Sequence, residues 1–547
     1  MTWNPSAPDL ILLNGNIRTL ESQRPQARAI GIKGGQIIAV GENDAIADLA
    51  DQKTERIELN GRLAIPGLMD SHFHFYDWAM GRQQLDLARV NALDELLDQV
   101  AQAAGQLPQE KWVLGQGWNE SDWPEHTMPR RDHLDGVAPS HPVALWRCDL
   151  HLVSVNSRAL ELAGIDESTP DPPDGVIEKD SSGRPTGILR ELAPNLVKSV
   201  IPPPSADELV TAMRDGITHL HTLGLTALHD ARLMGGLEGA AALKAWQQLN
   251  EKDKLDLRCW VSLAGERLEE AIALGLRTGL GDERLRIGHV KYFADGGMGA
   301  RTAWMLEPYL DAEYGMPLGS MAELGRKIAA AEKAGLAVMV HAIGDRANRE
   351  IITILEELAE SRSKAAQRSS APPALPHRIE HTQMIRSEDI QRLAKLKVAA
   401  CVQPHNMILD INMIDESVGP RGRWTYAYRE MLDAGIPVLF SSDAPVCDPS
   451  PLVGIHAAVT RQRLDGTPAG GWYPEQRICV EDAVRGYTTV PAAFYGQSRK
   501  MGTLSPGKWA DMIVLDRDIF AVDPMEIADA RVEMTIFDGR IVYRSRS

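Results

Sequence analysis

Cysteine is scarce and scattered in this chain of 547 residues: Cys148, Cys259, Cys401, Cys447 and Cys479 are odd in number and form no CxxC pair. That spacing fits reduced thiols and argues against a disulfide frame or a thiolate zinc site, so any metal must rely mostly on histidine and carboxylate. Long apolar runs are also missing. No stretch of about 18 apolar residues occurs, and the N-terminal MTWNPSAPDLILLNGN has neither a basic n-region nor a long apolar h-region, so a cytoplasmic protein is expected. Positive charge is in deficit, with 75 acidic against 58 basic residues, a net charge of -17 and no long basic run. Nucleic acid and anionic membrane surfaces are therefore not expected as partners.

A chain of this length can bury a large core, as two to four domains or as one barrel with additions. Residues 1–66 hold short β-like runs, LILLNGNIRTL, AIGIKGGQIIAVG and RIELNGRLAIPG, broken by NG and GG turn signals. Residues 504–547 repeat that style around WADMIVLD and VEMTIFDGRIVYR, so the two ends are expected to form one composite β-sandwich. Residues 67–503 differ. There, short apolar runs alternate with helical stretches, the pattern of βα units. Eight strand candidates, AIPGLMDSHFHF, LTALHDA, LRCWVSLA, LRIGHVKYFADG, LAVMVHAIGD, HRIEHTQM, VAACVQP and PVLFSSDAPV, suggest an α/β fold built on a (β/α)8 TIM-type barrel. In such a barrel strands one and four belong about 95 residues apart, whereas His74 and Lys291 are 217 apart. The surplus marks an inserted α/β module at about 80–212, and SKAAQRSSAPPALPH at 363–377 reads as a low-complexity loop.

In DSHFHF, residues 70–75, an apolar run ends on two histidines one residue apart. In a strand His72 and His74 share a face while Phe73 takes the other. The pair alone fits ordinary polar residues at a strand end as well as half of a metal site. Functional groups of such barrels gather at the C-terminal ends of strands, and further ionisable groups stand there: Lys291 in strand four, His341 ending strand five, His381 ending strand six and Asp443 ending strand eight.

An HxH, a strand-four lysine, two separated histidines and a strand-eight aspartate, in that order, resemble the amidohydrolase superfamily over nearly the whole chain. VKYFADGGMGARTA, VHAIGDRAN, RIEHTQM and SSDAPV, with the insertion after strand one, resemble its amidohydrolase-3 branch, that of the N-substituted formamide deformylases. The resemblance implies that His72, His74 and Asp443 hold one divalent metal and His341 and His381 a second, with zinc as the first expectation. It also implies that Lys291, carboxylated by carbon dioxide, bridges the two. The charge argument agrees, because an amine is a poor bridging ligand in a cationic site whereas a carbamate offers two anionic oxygens. An unmodified Lys291 would go with a single ion. The implied reaction is hydrolysis of a C–N bond, an amide or N-formyl-type amide, by a metal-bound hydroxide, with Asp443 as the catalytic residue that carries the proton to the departing amine. A deaminase or cyclic-amide hydrolase of the same superfamily stays open, as does a non-catalytic metal-bound binding protein. The expected partner is a small-molecule amide-type substrate, and a homodimer is compatible with the sequence.

Other residues compete for roles. THLHTLG carries a second HxH, His219 and His221, but on a helix positions i and i+2 diverge by about 200°. His289, two before Lys291, is expected one layer below the metals, and His229 and His405 follow strands two and seven, where a substrate could be touched. Asp345 and Arg346 after strand five, and Asp295 and Arg301 after strand four, read first as loop-bracing ion pairs and second as substrate contacts. In the inserted module, expected to cover the barrel mouth, Trp118 and His151 are candidate substrate contacts weighed against core packing.

Overall fold

Apolar runs bracketed by glycine, proline and histidine become an eight-stranded sheet in the computed structural model, which describes residues 7–120, 123–147, 152–172, 175–191, 193–231, 240–252, 254–365 and 373–545. Its strands are β1 Leu68–Phe73, β2 Leu225–Asp230, β3 Arg258–Ala264, β4 Leu285–Phe293, β5 Val338–Ala342, β6 Arg378–His381, β7 Ala399–Val402 and β8 Val438–Phe440. Each pairs in parallel with the next. Every residue of β1, β2, β6, β7 and β8 is buried, as parallel strands covered on both faces require. The sheet curls until its outer strands meet: Asp443 N donates to His72 O at 2.9 Å and His74 N to Ala444 O at 2.8 Å. The result is a nearly closed TIM-type barrel, with the seam beside the HxH. At the start of β1 a side chain on Gly67 would place Cβ 2.3 Å from Thr226 Oγ1, so only glycine lets β1 and β2 approach there.

The helices that follow the strands are amphipathic. In Met321–Lys333, Ser320 caps the N-terminus by accepting from Glu323 N, while Leu324, Ile328 and Ala331 turn one buried stripe inward. The helix Asp345–Ala365 runs into the segment read from sequence as a loop at 363–377, and residues 366–372 of that segment lie outside the described residues.

The chain divides into two units, Met1–Phe75 with Ile217–Ser547, and Tyr76–Gly216. In the first, beside the barrel, lie two further sheets. One has four strands in the order Gln36–Gly41, Ala29–Lys33, Leu10–Leu13 and Glu55–Glu58. The other joins both ends of the chain, because Met512–Leu515 pairs with Leu63–Pro66 on one side and Val532–Phe537 on the other. Leu12, Ile30 and Ile57 of the first share a core with Ala64, Met512, Val514 and Ile536 of the second. The unit Tyr76–Gly216 has a mixed six-stranded sheet of its own, in which the neighbours Val113–Trp118 and Val143–Arg147 are parallel. No helix among the described residues is long and apolar enough to cross a membrane.

Candidate metal centre

Six side chains from five strands meet at the C-terminal end of the barrel. The rings of His72 and His74 lie 5.2 Å apart between centroids, His72 and His381 also 5.2 Å, and His341 and His381 4.5 Å. Lys291 Nζ is 3.3 Å from His72 Nε2, and Asp443 Oδ1 is 3.3 Å from His72 Nε2 and 3.0 Å from His74 Nε2. All six are buried or nearly so. Strand alternation alone would not bring His381 inward, since Glu380 just before it already points into the barrel. The backbone solves this with a left-handed turn at His381, φ 68°, and another at Asp443, φ 61°. Such conformations cost about 1–3 kcal/mol each and collect where function over-determines the backbone.

Hydrogen bonds fix the imidazole tautomers. His72 Nδ1 donates to Glu380 Oε2, and His74 Nδ1 to the carbonyl of Ala231 at 3.0 Å. Both Nε2 atoms therefore present lone pairs to the same oxygen of Asp443. His381 Nδ1 donates to Gln403 Oε1 at 2.9 Å, and His341 Nε2 to Gly296 O at 3.2 Å, which leaves His381 Nε2 and His341 Nδ1 as lone-pair donors. Lone pairs converging on a carboxylate repel one another unless a cation stands between them. Two ligand atoms about 2.1 Å from a tetrahedral zinc ion are about 3.4 Å apart, so the 3.0 and 3.3 Å separations at Asp443 fit a shared ion. The donor set of imidazole and carboxylate is also the set zinc takes where cysteine is absent.

Electrostatics agree with this fit. Burial holds His72, His341 and His381 below the ordinary histidine range, so the rings are neutral. Burial also pushes Lys291 down to about 8. For Asp443, burial opposes ionisation and charge on the neighbouring imidazoles favours it, so the carboxylate is the form that a cation held among these groups would select.

Several supporting residues escaped the sequence pattern. Glu380, Gln403 and the Ala231 carbonyl orient the histidines. Asp70 accepts from His72 N, Ser442 N and Ser442 Oγ, stitching β1 to the segment after β8. Asp295 accepts from Trp304 N, Ile343 N and Gly344 N, pinning the loop after β4 to the end of β5. Asp345 accepts from Leu306 N and Arg386 Nε, a brace as expected. The only signal for Glu380 was an acid inside a strand candidate, RIEH, two residues from Arg378 and so on its face.

Other candidates fall elsewhere. Trp118 is corrected from substrate contact to core: it is fully buried, its indole N–H donates to Leu145 O at 2.9 Å, and its ring lies 6.1 Å from that of Trp123. His151 lies outside the described residues. Of its two readings Arg301 takes the brace and not the substrate contact, since Nε and Nη2 grip Asp311 at 2.9 and 2.8 Å while Nη1 donates to Met298 O. His405 stands in the first turn of the helix Pro404–Val418, just past β7, and donates from Nδ1 to Asp448 O at 3.1 Å. His229 has no room for substrate: it is fully buried, with Nδ1 on Tyr495 OH and Nε2 on Ser262 Oγ. His289 is likewise interior, stacked on Phe494. His221 lies on the helix Ala206–Thr222 and donates to Asp256 O.

Residues 55–543 match the family described as "Amidohydrolase family". The protein YtcJ of Bacillus subtilis (strain 168) is 31% identical over 97% of this chain and 98% of its own. The N-substituted formamide deformylase of Arthrobacter pascens is 28% identical, covering 98% of each. Among solved structures, an uncharacterized metal-dependent hydrolase from Pyrococcus horikoshii OT3 superposes with a TM-score of 0.77 at 28% identity, over 94% of this chain and 99% of that one.

Proposed function

Because the chain belongs to the amidohydrolase family, and so is a hydrolase acting on carbon–nitrogen bonds, we propose that it cleaves a linear amide, in the first place an N-formyl or small N-acyl amine. The observation that carries the reading is the pair of Nε2 lone pairs, from His72 and His74, aimed at one oxygen of Asp443. Likeness to a formamide deformylase along the full chain supports the substrate class.

His72, His74 and Asp443 would hold one divalent ion, zinc by donor type, and His341 and His381 a second. Bound there, the metal supplies a Lewis acid for the carbonyl oxygen and makes water acidic enough to attack near neutral pH. Lys291 would serve both halves as a carbamate: its neutral amine would bond to the carbon of carbon dioxide, release one proton and gain an anionic carboxylate. Its pKa near 8 leaves part of the amine neutral at physiological pH, as that addition requires. Asp443, buried beside His74, takes the proton of the attacking water and delivers it to the amide nitrogen. This transfer is decisive, since an amide anion is a very poor leaving group. His405, at the rim after β7, is a candidate contact for the part of the substrate that does not react.

The test is a panel of N-formyl amines, N-acyl amines, cyclic amides, amino-heterocycles and esters with metal-reconstituted protein, following amine or ammonia release. Turnover of linear amides is expected. Turnover confined to cyclic amides or amino-heterocycles would move the function to the neighbouring reaction classes, and metal-loaded protein inert towards all of them would favour a binding role.

A further inference from the structure

Beneath the metal centre lies a buried ion pair that the proposed chemistry does not use. Arg378 and Glu380 stand two apart on β6, share its inward face and are both fully buried. We propose that Glu380 is a positioning residue that locks His72 in the tautomer and orientation with Nε2 toward Asp443, and that Arg378 holds Glu380 for this purpose. The inference rests on the metal-site reading above and adds to it a determinant of metal affinity that touches neither metal nor substrate.

The chain of contacts is continuous. Glu380 Oε2 accepts from His72 Nδ1, and Oε1 lies 2.6 Å from Arg378 Nε. Arg378 Nη2 reaches Oε2 at 3.1 Å and the carbonyl of Ser71, the neighbour of His72, at 2.8 Å. Arg378 Nη1 donates to Tyr495 OH at 2.6 Å. The Tyr495 hydroxyl lies 2.7 Å from His229 Nδ1, and His229 Nε2 lies 2.8 Å from Ser262 Oγ. Each member is thus held by the next, from the barrel interior up to the ligand.

Two points favour orientation over the alternatives. A buried ion pair is commonly no more stabilising than apolar side chains of the same volume, so packing alone gives little reason for it beneath this site. A role for Glu380 as a ligand fits poorly as well. His72, Glu380 and Cys401 do place ligand atoms within 4.8 Å of one another, but His72 Nδ1 bonds directly to Glu380, with no gap between them for an ion. An anionic acceptor on Nδ1 makes Nε2 the more basic donor, and such partners typically contribute about 10- to 100-fold in metal affinity.

The experiment titrates metal-free wild type and Glu380→Gln with Co(II) and Zn(II) against a chromophoric chelator, and records the visible absorption of bound Co(II). The expected result is a folded variant that binds about 10- to 100-fold more weakly, with shifted Co(II) bands. Should Glu380→Gln fail to fold because Arg378 is left unpaired, the pair Arg378→Met/Glu380→Gln removes both charges and is expected to show the same weakening. A folded variant with wild-type affinity and an unchanged Co(II) spectrum would overturn the assignment of Glu380. If wild type itself bound neither ion, the metal-site reading would fall first.

Discussion

His74 Nε2 lies 3.0 Å from Asp443 Oδ1, while the ring proton of His74 is already committed, through Nδ1, to the carbonyl of Ala231. A gap lined by a lone pair and a carboxylate is where a cation belongs. It also separates two functions that mutation can pull apart. His74→Ala should lose metal and activity together, whereas Asp443→Asn should cut kcat by about two orders of magnitude and keep part of its metal. Elemental analysis alongside steady-state kinetics reads both. Wild-type kcat in Asp443→Asn would remove that residue from proton transfer.

Lys291→Ala should abolish turnover, and short carboxylic acids should restore part of it by standing in for the carbamate. The same reading predicts that metal reconstitution of the wild type is faster with bicarbonate present than in carbon-dioxide-free buffer. Equal rates in the two buffers, with a bare amine at Lys291 in active, metal-loaded protein, would refute it.

Acid should destabilise the fold through its buried neutral histidines. His289, pushed down to about 3 by burial, stays neutral in the folded chain, while in the unfolded chain it takes a proton near 6.5. The unfolded state therefore binds more protons between those values. Stability is complete above about pH 6.5 and falls as pH drops toward 3. Urea unfolding at a series of pH values should give a dependence for His289→Phe less steep than wild type by up to about 1.4 kcal/mol per pH unit. Parallel curves would contradict the assignment.

The candidate ligands could be picked out because they stand in or just past strand runs, where strand alternation and barrel topology suggest direction. His72 and His74 needed only the two-residue period. What was not legible depends on contacts far away in sequence. Glu380 meets His72 across 308 positions, and the inward turn of His381 comes from a positive φ that no local pattern announces. Trp118 was misread for the same reason: the Leu145 carbonyl that takes its indole N–H becomes a neighbour only when the strands Val113–Trp118 and Val143–Arg147 pair. The barrel strands were readable as eight apolar runs, whereas the cross-pairing of Leu63–Pro66 with Met512–Leu515 could be anticipated only from a likeness of style between the two ends.

Trp118→Ala should act on stability and leave selectivity alone. Truncating a fully buried tryptophan costs about 3–5 kcal/mol, so the unit Tyr76–Gly216 should melt earlier while the ratio of kcat/KM between small and bulky amides is unchanged. A shift in that ratio with the melting temperature preserved would return Trp118 to the substrate site.

A divalent metal held by His72, His74 and Asp443, with His341 and His381, makes hydrolysis depend on that metal. The decisive measurement assays the best amide of the panel with protein as purified, stripped by chelator, and reloaded with zinc, with metal content measured on each sample. Activity should fall by at least about 100-fold on stripping and return with zinc in proportion to bound metal. Full activity in protein shown by elemental analysis to carry no metal would contradict it.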